Sequence, residues 1–146
     1  MSSTNGETGS ERKPTILIVD DEPDLLDVLE AYLRDDGFNT VRAEDGRAAV
    51  DSAFREKPDL ILLDLNLPKK DGREVLSEIK QDEALKVIPV VVITTSKSDE
   101  DILKSYNLHA NCYITKPIDL EQFMIVVRAI ESFWLTIVKL PPDESR

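Results

Sequence analysis

Five short apolar segments occur along the chain, and longer segments with one apolar face separate them. The short segments are rich in Val, Ile and Leu, which is typical of strands that are buried on both faces of a sheet. We predict strands at residues 15–19, 39–43, 59–64, 90–94 and 111–115. The first strand leads directly into Asp20 and Asp21, and the third ends on Asp64.

The segments between the strands show helical periodicity. After Pro23, leucines recur at three- and four-residue spacing, and Gly37 marks the end of this helix. Further helices are predicted from Asp45 to Lys57, around Val75, Leu76 and Ile79 with Leu85 as a further candidate position, from Asp99 after a Ser98 cap, and from near Asp119 to well past Ile130. Strands and helices that alternate through short connections predict a doubly wound α/β fold, a three-layer sandwich around a parallel sheet.

The composition indicates one domain. The chain has 146 residues, of which 41% are hydrophobic, and this is enough for a single core. Residues 1–13 lack apolar periodicity and are predicted to form a disordered leader. The domain then spans residues 14–140 and includes an extended C-terminal helix. Residues 141–146 form a tail that is too short for an effector domain, so a stand-alone domain is expected.

Charge and cysteine content narrow the class of protein. The formal net charge of -11 argues against a role on nucleic acid or on an anionic membrane surface. Cys112 is the only cysteine, which excludes an intramolecular disulfide and fits a reducing compartment. The N-terminus lacks the apolar core of a signal peptide, and Arg128, Glu131 and Lys139 interrupt the apolar C-terminal segment. We therefore predict a cytoplasmic protein without a membrane span.

Polar side chains cluster at the predicted carboxyl ends of the strands, which share one edge in a parallel sheet. They are Asp20, Asp21, Asp64, Thr94, Thr95 and Lys116. Three carboxylates in a partly desolvated pocket repel one another and require a compensating cation. Mg2+ is the natural choice because it prefers oxygen ligands, and the lack of His and Cys at this edge argues against zinc.

Lys116 and Thr94 extend this chemistry to a phosphoryl group. A metal ion and an ammonium group neutralise phosphoryl oxygens, while a hydroxyl donates a hydrogen bond to them. Asp64 would then be the acceptor, as an aspartyl phosphate. Each residue alone has an ordinary explanation, as a helix cap, a strand former or a solvated lysine. Their joint occurrence at four of the five strand ends favours a site.

Four segments together resemble the receiver domain of two-component response regulators. They are residues 19–23, residues 63–68 with Asp71 and Gly72, residues 93–96 and residues 113–117. The resemblance covers about residues 14–135, in order and with ordinary spacing. It implies a flavodoxin-like sheet of five parallel strands in the order 2-1-3-4-5.

The resemblance also implies a role for each acidic residue. Asp64 would receive phosphate from a phosphohistidine on a sensor kinase or a phosphotransfer protein. The carboxylates of Asp21 and Asp64 and the main-chain carbonyl of Asn66 would bind Mg2+, and Asp20 would act largely through water.

The same resemblance implies a switch. The hydroxyl of Thr94 would move toward the phosphoryl group, and Tyr113 would turn inward with it. Lys116 would pair with the phosphoryl oxygens, ahead of a cis peptide to Pro117. The surface of the fourth helix, fifth strand and fifth helix would then signal to an unknown downstream protein. Thr95 stands where many receivers have Ala, at the mouth of the site.

The last helix is more apolar than one sheet-facing stripe requires. Up to Ile130 a broad core face is the favoured explanation. Beyond Ser132 we expect an exposed patch that forms a symmetric dimer, a typical use of exposed apolar surface. The predicted interface residues are Ile125, Phe133, Trp134, Leu135, Ile137 and Val138. Residues 111–117 and 133–135 are also similar to the small response regulators that partner bacterial, notably cyanobacterial, phytochromes, which implies a dimer and a light-sensing histidine kinase as donor.

Two other functions remain as alternatives to a phosphorylated switch. One is a phosphatase that works through an aspartyl phosphate, as haloacid dehalogenase-like enzymes do. Those enzymes carry a second Asp two residues after the nucleophile, and Asn66 occupies that place here. The other is a dimeric scaffold that never takes phosphate. His109 and Cys112 are expected to be a solvated loop residue and a buried small side chain.

Overall fold

A computed structural model describes residues 13–94, 112–115 and 120–132 of the chain. Five parallel strands form one sheet in the order β2-β1-β3-β4-β5, which confirms the predicted fold and strand order. The strands are β1 (Thr15–Val19), β2 (Asn39–Ala43), β3 (Leu60–Asp64), β4 (Val90–Thr94) and β5 (Cys112–Thr115). β3 begins one residue later than predicted, because Asp59 instead exchanges hydrogen bonds with the backbone of Thr15 at the start of β1.

Four helices lie within the described residues. They are α1 (Pro23–Asp35), α2 (Gly46–Glu56), α3 (Gly72–Gln81) and α4 (Leu120–Ile130). The Asp45 side chain caps α2 by accepting a hydrogen bond from the backbone N–H of Ala48. Asp71 and Glu74 form a capping box at α3. The helix predicted from Asp99 lies outside the described residues, and no described helix is long and apolar enough to cross a bilayer.

Alternate side chains of each strand pack on opposite faces of the sheet. On one face Leu17, Ile61 and Val92 pack with α2 and α3. On the other face Ile18, Leu62 and other strand residues pack with α1 and α4. Burying each of these side chains contributes about 1.5–3 kcal/mol, so the two cores hold the strand ends rigidly in register.

Leu85 is buried as expected, but it does not extend α3. The helix ends at Gln81, and the Asp82 carboxylate accepts hydrogen bonds from the backbone N–H groups of Ala84 and Leu85. Lys80 closes the turn by donating from Nζ to the carbonyls of Lys86 and Ile88, and burial lowers the pKa of this lysine. The turn therefore directs Leu85 into the core without helical backbone.

A polar network joins α1 to the edge strand β2. The buried carboxylate of Glu30 accepts hydrogen bonds from Arg34, Thr40 and Arg42. Arg42 also donates to Asp27 at 2.6 Å. Inward-facing charged groups on an edge strand discourage pairing with another sheet. The network also fixes α1, which begins two residues after Asp21.

The predicted leader and the C-terminal patch are untested. Residues 1–12 lie outside the described residues, as do Phe133, Trp134, Leu135, Ile137 and Val138. α4 continues into a π-helical turn at Glu131 and Ser132, where the described part of the chain ends. The boundaries of the domain at residues 14 and 140 therefore remain predictions.

Candidate functional site

Three carboxylates meet at the carboxyl edge of the sheet. β1 and β3 are neighbours with Val19 opposite Leu63, so the residues that follow, Asp20 and Asp64, lie at the same level. One oxygen from each of Asp20, Asp21 and Asp64 lies within 4.8 Å of the others. Asp20 and Asp64 are only 4% and 5% exposed, whereas Asp21 is exposed to solvent. The predicted acidic cluster is thus a half-buried cup that opens on one side.

Backbone N–H groups orient the two buried carboxylates. Glu22 donates its N–H to Oδ1 of Asp20 at 3.0 Å. Asn66 donates its N–H to Oδ1 of Asp64 at 3.1 Å. Each of these carboxylates therefore accepts a hydrogen bond from the backbone of the loop that follows its own strand.

The three carboxylates of this cup carry like charges and repel one another. Two unit charges 4.8 Å apart repel by on the order of 3 kcal/mol at the effective dielectric of a protein surface. All three donors are hard carboxylate oxygens. A divalent cation of the Mg2+ or Mn2+ type fits this donor set, because it would remove the repulsion and prefers oxygen ligands.

The backbone beyond Asp64 is held close to the sheet. Leu65 is fully buried and donates its N–H to the carbonyl of Ile93 at 3.2 Å. Gly72 donates its N–H to the carbonyl of Leu65 at 3.1 Å, so the loop returns to its starting point as α3 begins. Asn66 is exposed and lies at the start of this loop, beside the acidic cup.

The other predicted site residues are described only in part. Thr94 closes β4, the strand next to β3, and lies opposite Thr115 of β5. Tyr113 lies opposite Val92 on β4. This places the backbone of Thr94 at the same edge as Asp64. Lys116, Thr95 and the peptide to Pro117 lie outside the described residues, so their predicted roles are untested.

Two residues next to this loop were not predicted to have a role at the site. Gly46, at the start of α2, donates its N–H to the carbonyl of Pro68 at 3.3 Å. Oδ2 of Asp45 lies 3.5 Å from the ammonium nitrogen Nζ of Lys69. The sequence indicated that a helix starts at Asp45. It could not predict the contact of Asp45 with Lys69, because the two residues are far apart along the chain.

Of the predicted interface residues, Ile125 alone has a described side chain. It is 61% exposed on α4. The nearby guanidinium of Arg128 lies 4.4 Å from the ring centroid of Tyr32 on α1, a cation–π contact. Ile125 is therefore available for contact with another molecule.

Comparisons with known proteins agree with this geometry. The profile of the response regulator receiver domain matches residues 16–128. The response regulator Rcp1 of Synechocystis sp. is 62% identical over 85 residues, which are 58% of this chain and 58% of Rcp1. The chain thus matches Rcp1, at this level of identity, over little more than half of the length of Rcp1.

Two solved structures extend the similarity over most of the chain. The phosphorylated cyanobacterial phytochrome response regulator RcpA is 45% identical, with a TM-score of 0.78, over 90% of this chain and 100% of that one. The Mn2+-bound form of Rcp1 is 46% identical, with a TM-score of 0.77, over 88% and 99% of the two chains. Taken with the matched profile and the acidic cup at the strand ends, they place the chain in the family of response regulator receiver domains.

Proposed function

We propose that this receiver domain accepts a phosphoryl group on Asp64 from a phosphohistidine of a sensor histidine kinase or a phosphotransfer protein. The P–N bond to histidine breaks, a P–O bond to an Asp64 oxygen forms, and the released imidazole takes a proton from solvent. The observation that carries the proposal is the buried Asp64 carboxylate within 4.8 Å of those of Asp20 and Asp21. The protein catalyses only its own phosphoryl uptake and loss, so it is not an enzyme with a separate substrate.

Mg2+ is the proposed metal. Asp21, Asp64 and the main-chain carbonyl of Asn66 would hold it, with Asp20 acting largely through water. When bound, the ion would neutralise the negative charge of the phosphoryl oxygens. This would lower the barrier for the phosphoryl group to approach the Asp64 carboxylate. The hard oxygen donors and the Mn2+-bound form of a relative support this assignment. The backbone bonds to Asp20 and Asp64 keep the carboxylates aligned.

The proposed switch passes through Thr94, Tyr113 and Lys116. Phosphorylation would add about -1.5 to -2 charge at the end of β3, and the Thr94 hydroxyl and Lys116 ammonium would move toward it. Support comes from the strand order: β4, which carries Thr94, pairs with β3, and β5, which carries Tyr113, pairs with β4. A downstream protein would read the change.

The proposed phosphoryl donor is a phytochrome-type histidine kinase. The proposed assembly is a homodimer, and the proposed location is the cytoplasm. Similarity to RcpA, a cyanobacterial phytochrome response regulator, supports this kind of kinase as the donor. The exposed Ile125 supports an interface on α4, continued by Phe133, Trp134, Leu135, Ile137 and Val138. No role with nucleic acid or membrane is proposed, since the net charge is -11.

Acetyl phosphate with Mg2+, followed by intact-mass measurement, tests the proposal. We expect one phosphate adduct on the wild type and none on Asp64→Asn. Absence of an adduct with any divalent ion would favour the dimeric scaffold instead. Continuous release of phosphate from a small phosphomonoester would favour the phosphatase, but the side-chain amide of Asn66 cannot supply the proton that such turnover needs.

A further inference from the structure

The loop between β3 and α3 rests against the N-terminus of α2. The N–H of Gly46 donates to the carbonyl of Pro68, and the N–H of Lys70 donates to the same carbonyl at 2.8 Å. Asn66 lies between this outer part of the loop and Asp64, whose carboxylate binds its N–H. The loop that carries Asn66 is therefore held to β3 at Asn66 and to α2 at Pro68.

Gly46 leaves no room for a side chain. A Cβ at this position would lie 1.8 Å from the carbonyl oxygen of Lys70 and 2.6 Å from its Cβ. The nearest atoms belong to the backbone of the loop, so a rotamer change cannot relieve the overlap. Any larger residue at Gly46 must push the loop or the helix away.

Asp45 links the helix and the loop through its two carboxylate oxygens. Oδ1 accepts the N–H of Ala48, and Oδ2 lies 3.5 Å from Nζ of Lys69. The hydrogen bond from Ala48 and, to a smaller extent, the charge of Lys69 hold the pKa of Asp45 below its usual range. Lys69 itself has φ of 68°, a left-handed backbone that is uncommon for a residue with a side chain.

We infer that Asp45 and Gly46 are positioning residues of the metal site, which fix the β3–α3 loop so that the Asn66 carbonyl faces the acidic cup. This inference rests on the proposed function, because it assumes that Asn66 contributes a metal ligand. Neither residue is among the proposed ligands of the metal. They act at a distance by setting the backbone that carries a ligand, as groups behind metal ligands commonly do.

Gly46→Ala tests the inference against Gly37→Ala as a matched control. Gly37 has φ of 96° and no atom within 4 Å of an added Cβ, so its substitution strains the backbone without moving the loop. We expect Gly46→Ala to weaken Mn2+ binding in titration calorimetry by about 10-fold or more, and Gly37→Ala to leave it unchanged. At saturating Mn2+, adduct formation from acetyl phosphate should recover in Gly46→Ala, because the acceptor Asp64 is intact.

Asp45→Ser keeps an oxygen that can cap α2 but loses the ion pair with Lys69. This variant tests the inference if Gly46→Ala does not fold. We expect it to weaken Mn2+ binding by a few-fold, with a circular-dichroism melt within a few degrees of the wild type. Unchanged Mn2+ affinity in every folded variant, with a wild type that binds Mn2+ and takes phosphate, would overturn the inference. A wild type that binds no metal would instead overturn the proposed function, so the two failures are distinguishable.

Discussion

Gly72 lies directly against the backbone of the proposed phosphoacceptor, Asp64. A Cβ at Gly72 would lie 2.8 Å from the carbonyl oxygen of Asp64 and 2.6 Å from Cα of Leu65. The residue that starts α3 and the residue that ends β3 thus fit together only because one of them has no side chain. The capping box at Asp71 and Glu74 fixes the start of the helix against this contact.

We predict that Gly72→Ala lowers the free energy of unfolding by about 1–3 kcal/mol, the usual cost of overpacking a rigid site. It should also slow phosphate uptake, because the overlap displaces the backbone that carries the acceptor carboxylate. Urea unfolding and adduct formation from acetyl phosphate check the two effects. Gly37→Ala is the control, since it strains only its own backbone and should leave the uptake rate unchanged. Wild-type uptake in Gly72→Ala would contradict the prediction.

Asp64→Asn should stabilise the protein when divalent ions are absent. The substitution removes one of three mutually repelling charges and keeps an oxygen that can accept the N–H of Asn66. We expect a gain on the order of 1–3 kcal/mol in EDTA, and a smaller rise in melting temperature with Mg2+ than the wild type shows. Thermal melts in EDTA and in Mg2+ measure both.

Asp51→Asn is the matched control for this charge effect. Asp51 is an exposed aspartate on α2, away from the acidic cup, so its substitution should change neither the melt in EDTA nor the response to Mg2+. If Asp64→Asn and Asp51→Asn behave alike, charge repulsion at the strand ends is too small to matter.

The sheet and its acidic edge could be predicted because both follow from local patterns. Strand length, the β-branched segments and the edge rule suffice to bring Asp20 and Asp64 together. The contact of Gly46 with the loop after Asp64 could not be predicted, because it depends on the packing of two helices against one sheet. Leu85 shows the same limit. Its apolar side chain indicated that it is buried, but the sequence did not show that it lies on a turn, which is held by hydrogen bonds to Asp82, rather than on a helix.

Ile125→Glu is predicted to weaken the proposed dimer without unfolding the monomer. The side chain is 61% exposed, so a charge there costs the monomer little but is costly to bury in an interface. Sedimentation velocity should show a shift toward monomer, as it should for Trp134→Ala. Val87→Glu provides the control, because Val87 is 77% exposed on the turn between α3 and β4. An unchanged profile for Ile125→Glu would remove α4 from the interface.

Glu131 should make the stability of the protein depend on pH. Burial, followed by a hydrogen bond and charge repulsion from Asp36, raises the pKa of this carboxyl from 4.5 to about 7, and the charge of Arg128 opposes the rise. Its Oε2 is buried and has no hydrogen-bond partner among the described residues. Between these two pKa values the folded protein binds more protons than the unfolded chain does. The free energy of unfolding should therefore fall as pH rises from about 4.5 to about 7, and the loss should be complete above that range.

Glu131→Gln should remove this loss, because the amide stays neutral and can donate a hydrogen bond to Asp36. We expect the variant to be more stable than the wild type at pH 8 by on the order of 1–3 kcal/mol and close to it at pH 4.5. Urea unfolding at a series of pH values measures the difference. Glu83→Gln is the control, since the side chain of Glu83 is 88% exposed and is not buried on folding as that of Glu131 is. The difference in free energy of unfolding between Glu131→Gln and the wild type can depend on pH only if folding shifts the pKa of Glu131. A difference that stays constant across the pH series would therefore contradict the prediction.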